Sequence, residues 1–146
     1  METFVIEISY NQLAIFPSSL NDPFNDWTDV HISQGFTWRN NSVSFEILEN
    51  GPLEIKIVNT KSFNENVNSI RIIRVPFTVN ENNIEIASIS DSKIIILEKS
   101  EYSIYFSLLP NNKCEICFIK EKEKPKIFKM IDKPIPEKLL MSSNSA

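Results

Sequence analysis

Apolar residues recur in this chain with a period of two, in runs that return roughly every 10–12 residues with turn residues between them. No other feature constrains the fold as tightly. Phe4, Ile6, Ile8 and Tyr10 alternate with Val5, Glu7 and Ser9, as in a strand with one face buried. Leu13 and Phe16 bound a second, shorter apolar piece. Strands at this spacing predict an all-β fold, an antiparallel β-sandwich or a partly open barrel. We expect one domain over residues 1–131 and a mobile C-terminal tail over 132–146. At 146 residues the chain is long enough to bury a real core.

Residues opposite each other on paired strands share a face, so side-chain parity tests candidate hairpins. A loop at Asn50, Gly51 and Pro52 pairs Ile47 with Ile55 and Phe45 with Ile57, sets Glu46 beside Lys56, and asks Gly51 for a positive φ. The same reasoning matches Val75, Phe77 and Val79 with Ser88, Ile86 and Ile84. It matches Ile95 and Leu97 with Ile104 and Tyr102, and Ile104, Phe106 and Leu108 with Phe118, Ile116 and Cys114. Residues 94–97 are apolar on both faces, which predicts a central strand. Residues 126–131 predict a last strand, after a charged turn of alternating sign.

One stretch departs from the pattern. Residues 25–38, NDWTDVHISQGFTW, hold both tryptophans, the only histidine and one of two glycines. Asp26 or Thr28 can cap a short helix near residues 27–34, with Asp29 in its first turn and Gly35 at its end. Any general-base or nucleophile scheme would have to pass through His31, and Asp29 points elsewhere on a helix and cannot orient its ring. The chain has no glycine-rich phosphate loop and no metal-binding histidine spacing. We expect no enzyme, no cofactor and no metal. Cys114 and Cys117, three apart on a strand, face opposite sides and are expected as two buried, unpaired thiols.

Charge is distributed unevenly. Residues 1–54 carry eight acids and one base, Arg39, a balance of −7; the rest carries eleven acids and fourteen bases, a balance of +3. Phosphate backbones are bound by clustered Lys and Arg, so direct nucleic-acid binding is not expected. An acidic face attracts a basic partner. Asp22, Asp26, Asp29, Glu46 and Glu49 around Trp27 are the candidate partner-binding residues, although a lysine beside Glu46 would weaken its share. The alternative is a carbohydrate- or peptide-binding sandwich that stacks its ligand on Trp27 and Trp38. The N-terminus has Glu2 and Glu7 and no basic leader region, and no apolar run reaches membrane-spanning length. A cytoplasmic location is expected, with recruitment to a membrane only through a partner.

Four segments then carry a resemblance. ISYNQLAIF from Ile8, DWTD from Asp26 followed by Gly35, SFE from Ser44, and VPFTVNENNIEIASI from Val75 occur in this order in the competence protein J family. The chain resembles that family over residues 8–105; beyond Tyr105 no likeness is read. The resemblance implies an inhibitor of a small, non-specific DNA-entry nuclease that binds it directly. Taken with the −7 balance of residues 1–54, it gives the expectation that an acidic patch covers the cleft that takes DNA. It assigns no contact residues.

Overall fold

The period-two pattern is realised as two sheets in the computed structural model, which describes residues 2–58 and 60–143. In chain order the elements are β1 (Glu2–Ile8), β2 (Gln12–Pro17), α1 (Asp29–Gln34), β3 (Phe36–Arg39), β4 (Ser42–Glu46), β5 (Gly51–Val58), β6 (Arg71–Val79), β7 (Asn83–Ala87), β8 (Ser92–Ile96), β9 (Ser100–Leu109), β10 (Lys113–Lys120) and β11 (Lys126–Met130). One sheet has the order β1-β5-β10-β9-β6-β11, the other β3-β4-β2-β7-β8. Neighbours are antiparallel except β5 and β10, which run parallel.

The alternating apolar residues of both sheets meet in one core. Phe45 of β4 stacks on Phe106 of β9 across the gap, with ring centroids 4.2 Å apart and planes 9° from parallel. Ile15, Val43, Ile55, Ile73, Val75 and Ile104 around them are fully buried. Burying each such side chain contributes about 1.5–3 kcal/mol. No helix among the described residues is long and apolar enough to cross a membrane.

Of the four expected hairpins one forms. β9 and β10 pair Leu108 with Cys114, Phe106 with Ile116 and Ile104 with Phe118, and Asn111 and Asn112 turn the loop at φ 64° and 55°. The other three connections, β4 to β5, β6 to β7 and β8 to β9, each leave one sheet and enter the other. The parity reading failed there for a physical reason. Residues facing each other across a sandwich share the same core as residues side by side in one sheet. A connection of a few residues also spans the ~10 Å between sheets as readily as it turns a hairpin. Gly51 keeps its positive φ, 107°, but at the start of β5.

The strand at 94–97 is corrected too. β8 is the edge of its sheet, with Ile94 52% and Ile96 70% exposed. Cys114 and Cys117 are both buried and unpaired, one in the main core and one beneath Tyr105 on the outer face. Burial pushes the Cys117 thiol up to about 11, and Cys114 further still.

Candidate functional site

The short helix is built by its ends. Thr28 is its N-cap, in extended conformation, and the third helical residue closes a capping box that uses a histidine where Glu or Gln is usual. The Thr28 backbone N–H donates to His31 Nδ1 at 3.1 Å, and the His31 N–H reaches back to Thr28 Oγ1 at 3.4 Å. His31 Nε2 lies 2.7 Å from the carbonyl of Met141. A carbonyl only accepts, so Nε2 carries the proton and Nδ1 is the acceptor. Both ring nitrogens thus hold structure in place, and His31 is buried.

Gly35 ends the helix at φ 85°, its N–H donating to His31 O at 2.9 Å. A side chain here would also collide: a Cβ would stand 2.9 Å from Nη1 of Arg71. Arg71, 1% exposed, is the largest fully buried side chain among the described residues. Its Nε and Nη2 donate to the two carboxylate oxygens of Asp132 at 3.0 and 2.5 Å, and Nη1 donates to Glu46 at 2.8 Å. Lys133 reaches the same Glu46 oxygen at 2.9 Å and the carbonyl of Ile32 at the helix end. Burial works most strongly against the Arg71 charge, yet the Asp132 and Glu46 hydrogen bonds more than offset it and its pKa stands raised. The same bond holds the Asp132 carboxyl below the usual range.

Residues 132–143, assigned from sequence to a tail outside the domain, run back over this helix. Gln34, fully buried, donates to the carbonyls of Phe36 and Leu140 and accepts from the Leu140 N–H at 2.9 Å. The Ser142 N–H donates to Trp38 O on the outer edge of β3, and Asp26 N–H donates to Ser142 Oγ. Residues 144–146 of the expected tail lie outside the described residues.

The six expected site residues divide. Asp22, Asp26, Trp27 and Asp29 lie on one stretch from the loop after β2 into α1; the three acids are exposed and Trp27 is half-buried, its Nε1 donating to Gln12 Oε1 at 3.1 Å. Glu49 is exposed on the loop beside the Tyr10–Asn11 turn, where Asn11 bonds Asn50, Ile47 and Leu48. Asp22, Asp26, Asp29 and Glu49 take part in none of the ion pairs among the described residues. Glu46 is different. Its expected neighbour Lys56 lies in the other sheet, opposite Thr3 and Glu115, and Glu46 is instead matched by Arg71 and Lys133. Sequence reasoning missed Arg71, although one signal was available: an arginine in register with Ile73, Val75 and Phe77 on a core-facing strand.

The sequence model of the family described as Competence protein J (ComJ) matches residues 5–129, almost every strand. The match includes β10 and most of β11, beyond the limit at Tyr105 read from sequence, and it stops short of the segment that crosses the helix. A DNA-entry nuclease inhibitor of Bacillus subtilis (strain 168) is 34% identical over 101 residues, which cover 68% of this chain and 75% of that protein. The crystal structure of ComJ from Bacillus subtilis, described as the inhibitor of the DNA-degrading activity of NucA, superposes with a TM-score of 0.74 at 28% identity. That superposition covers 83% of this chain and 96% of the ComJ chain. The chain belongs to the competence protein J family.

Proposed function

We propose that this protein inhibits a non-specific nuclease of the DNA-entry type by binding it directly and covering its DNA-binding cleft. The observation that carries the reading is the set of exposed acids, Asp22, Asp26, Asp29 and Glu49, outside every ion pair among the described residues, while Glu2, Glu46 and Glu54 from the same third of the chain are matched by bases. A nuclease that grips DNA of any sequence must present positive charge to phosphates. Unmatched carboxylates offer that surface a competing ligand without any chemistry, and they accelerate the encounter. Trp27 beside them supplies apolar area at the rim of the charge.

The test is the double variant Asp26→Lys/Asp29→Lys. Asp29 favours the helix N-terminus by about 0.3–1 kcal/mol, so the variant remains folded, which circular dichroism checks. Association with the nuclease slows and its salt dependence flattens. Unchanged inhibition by the folded variant would falsify the electrostatic mechanism. The alternative, a ligand stacked on both tryptophans, has less support: Trp38 packs against the main core, and Trp27 is tied to Gln12.

A further inference from the structure

The outer face of the five-stranded sheet is only half covered. The chain after β2 folds back over it, and Leu20 and Phe24 pack on Ala14, Phe16 and Ala87. Phe24 meets Phe16 edge to face at 5.8 Å. The cover stops before β8. The outward residues of the β7–β8 hairpin are Asn83, Glu85, Ala87, Ser92, Ile94 and Ile96: one acid, no base and two exposed isoleucines. Glu85 stands directly between Phe16 on β2 and Ile94 on β8, and no base among the described residues pairs with it. The groove between this hairpin and the covering loop adds Asp91 and three serines of the β7–β8 turn and strand, again without a base. Lys93, the one cation of β8, is turned to Glu2 and to the ring of Phe4 on the neighbouring sheet.

The edge itself is open. Leu97 N–H donates to Asn82 O and Ser88 N–H to Asp91 O. By the alternation of an antiparallel ladder, Ile95 and Lys93 bond back to β7, and the N–H and C=O groups of Ser92, Ile94 and Ile96 point away from the sheet. Two of these three, Ile94 and Ile96, also carry the exposed apolar side chains of the strand. Natural sheets ordinarily blunt such an edge.

We propose that the face and edge of the β7–β8 hairpin are a docking surface for a basic protein, which lays apolar side chains on Ile94 and Ile96 and sets a lysine or arginine beside Glu85. The charge decides the occupant: the outward face carries Glu85 and Asp91, and the cations stand only at its rim, Lys93 matched by Glu2, Lys120 by Glu98, and Lys61 beyond Ile96. The proposal rests on the nuclease-inhibitor reading and adds a second contact region to it, away from Asp26 and Asp29.

The test uses NucA of Bacillus subtilis as the probe, titrated calorimetrically with the full chain. Ile94→Lys/Ile96→Lys alters only exposed side chains, and an unchanged unfolding midpoint confirms the fold. Affinity falls about tenfold or more, as for loss of an apolar anchor, and Glu85→Gln gives a smaller loss with a weaker dependence on salt. Full affinity in the isoleucine variant overturns the docking surface and leaves the inhibitor reading standing on Asp26 and Asp29. A wild-type chain that is dimeric in the ultracentrifuge, and monomeric as Ile94→Lys/Ile96→Lys with NucA affinity retained, assigns the face to a second copy and overturns the proposal. Absence of any binding by the wild-type chain overturns both readings together.

Discussion

Where β3 and β11 end their sheets, the sandwich is sealed from within: α1 and residues 132–143 bridge the two edges, and Arg71, Glu46, Asp132 and Lys133 join them beneath. Where β1 and β8 end their sheets, a few polar contacts cross among the described residues and no buried ion pair joins the edges. The Glu7 N–H meets Asp91, Ser88 Oγ meets the Glu7 carbonyl, and Lys93 meets Glu2. The two flanks show that a charge acts according to where the fold puts it. On the first flank Glu46 and Asp132 are consumed in holding the structure around a buried cation. On the second Glu2 and Asp91 make only peripheral contacts, and the acids of the loop leading to α1 take part in none of the ion pairs among the described residues.

The largest effect is expected from removing the buried cation. Arg71→Ala leaves Asp132 and Glu46 without their guanidinium and costs about 3 kcal/mol or more in chemical denaturation; a loss below about 1 kcal/mol would mean that the sealed flank is no more than a surface contact. The pH dependence follows from Asp132. Its carboxyl is depressed in the folded protein, so its contribution is present above the ordinary value of ~3.9 and disappears as pH falls through the lower folded value. Asp132→Asn should flatten acid unfolding below about pH 4, and an unchanged acid limb would argue against the pairing.

Truncation after Lys133 comes next. It strips the Leu140 and Met141 partners from buried Gln34 and His31 and costs about 2 kcal/mol. Proteolysis of the wild type should be slow across 134–142; rapid cutting there, with stability unaffected by the truncation, would break the contrast between flanks. Gly35→Ala is smaller, about 1–2 kcal/mol for a left-handed residue, with Arg71 crowded as well. Ile96→Lys on the open flank is the smallest, within about 0.5 kcal/mol. A thermal scan showing a loss as large as that of Gly35→Ala would place Ile96 in the packing and not on the surface.

Much of this was legible in advance. Asp29, Gly35 and a cap at Asp26 or Thr28 announced the helix because caps are read from single residue types at fixed spacing, and the structure chose Thr28. The opposite facing of Cys114 and Cys117 and the register of β9 with β10 followed from a period of two. The acids at 22, 26, 29 and 49 were visible as a charge imbalance. That a basic neighbour could weaken Glu46 was legible too, but parity pointed to Lys56, because the real partners Arg71 and Lys133 are far away in the chain. The exposure of Ile94 and Ile96 was misread for a related reason: a run apolar on both faces suits a covered central strand, and equally an edge strand with one apolar face left uncovered.

From the order of residues alone came the class of fold, the short helix, and the face that most strands turn to the core, since all three depend on neighbours within a few positions. Only the folded molecule decided which strands share a sheet, which carboxylates are neutralised, and which edge stays open. Those outcomes depend on contacts between distant segments, and an alternating pattern carries the same inward face whether its partner lies beside it in the sheet or across the core.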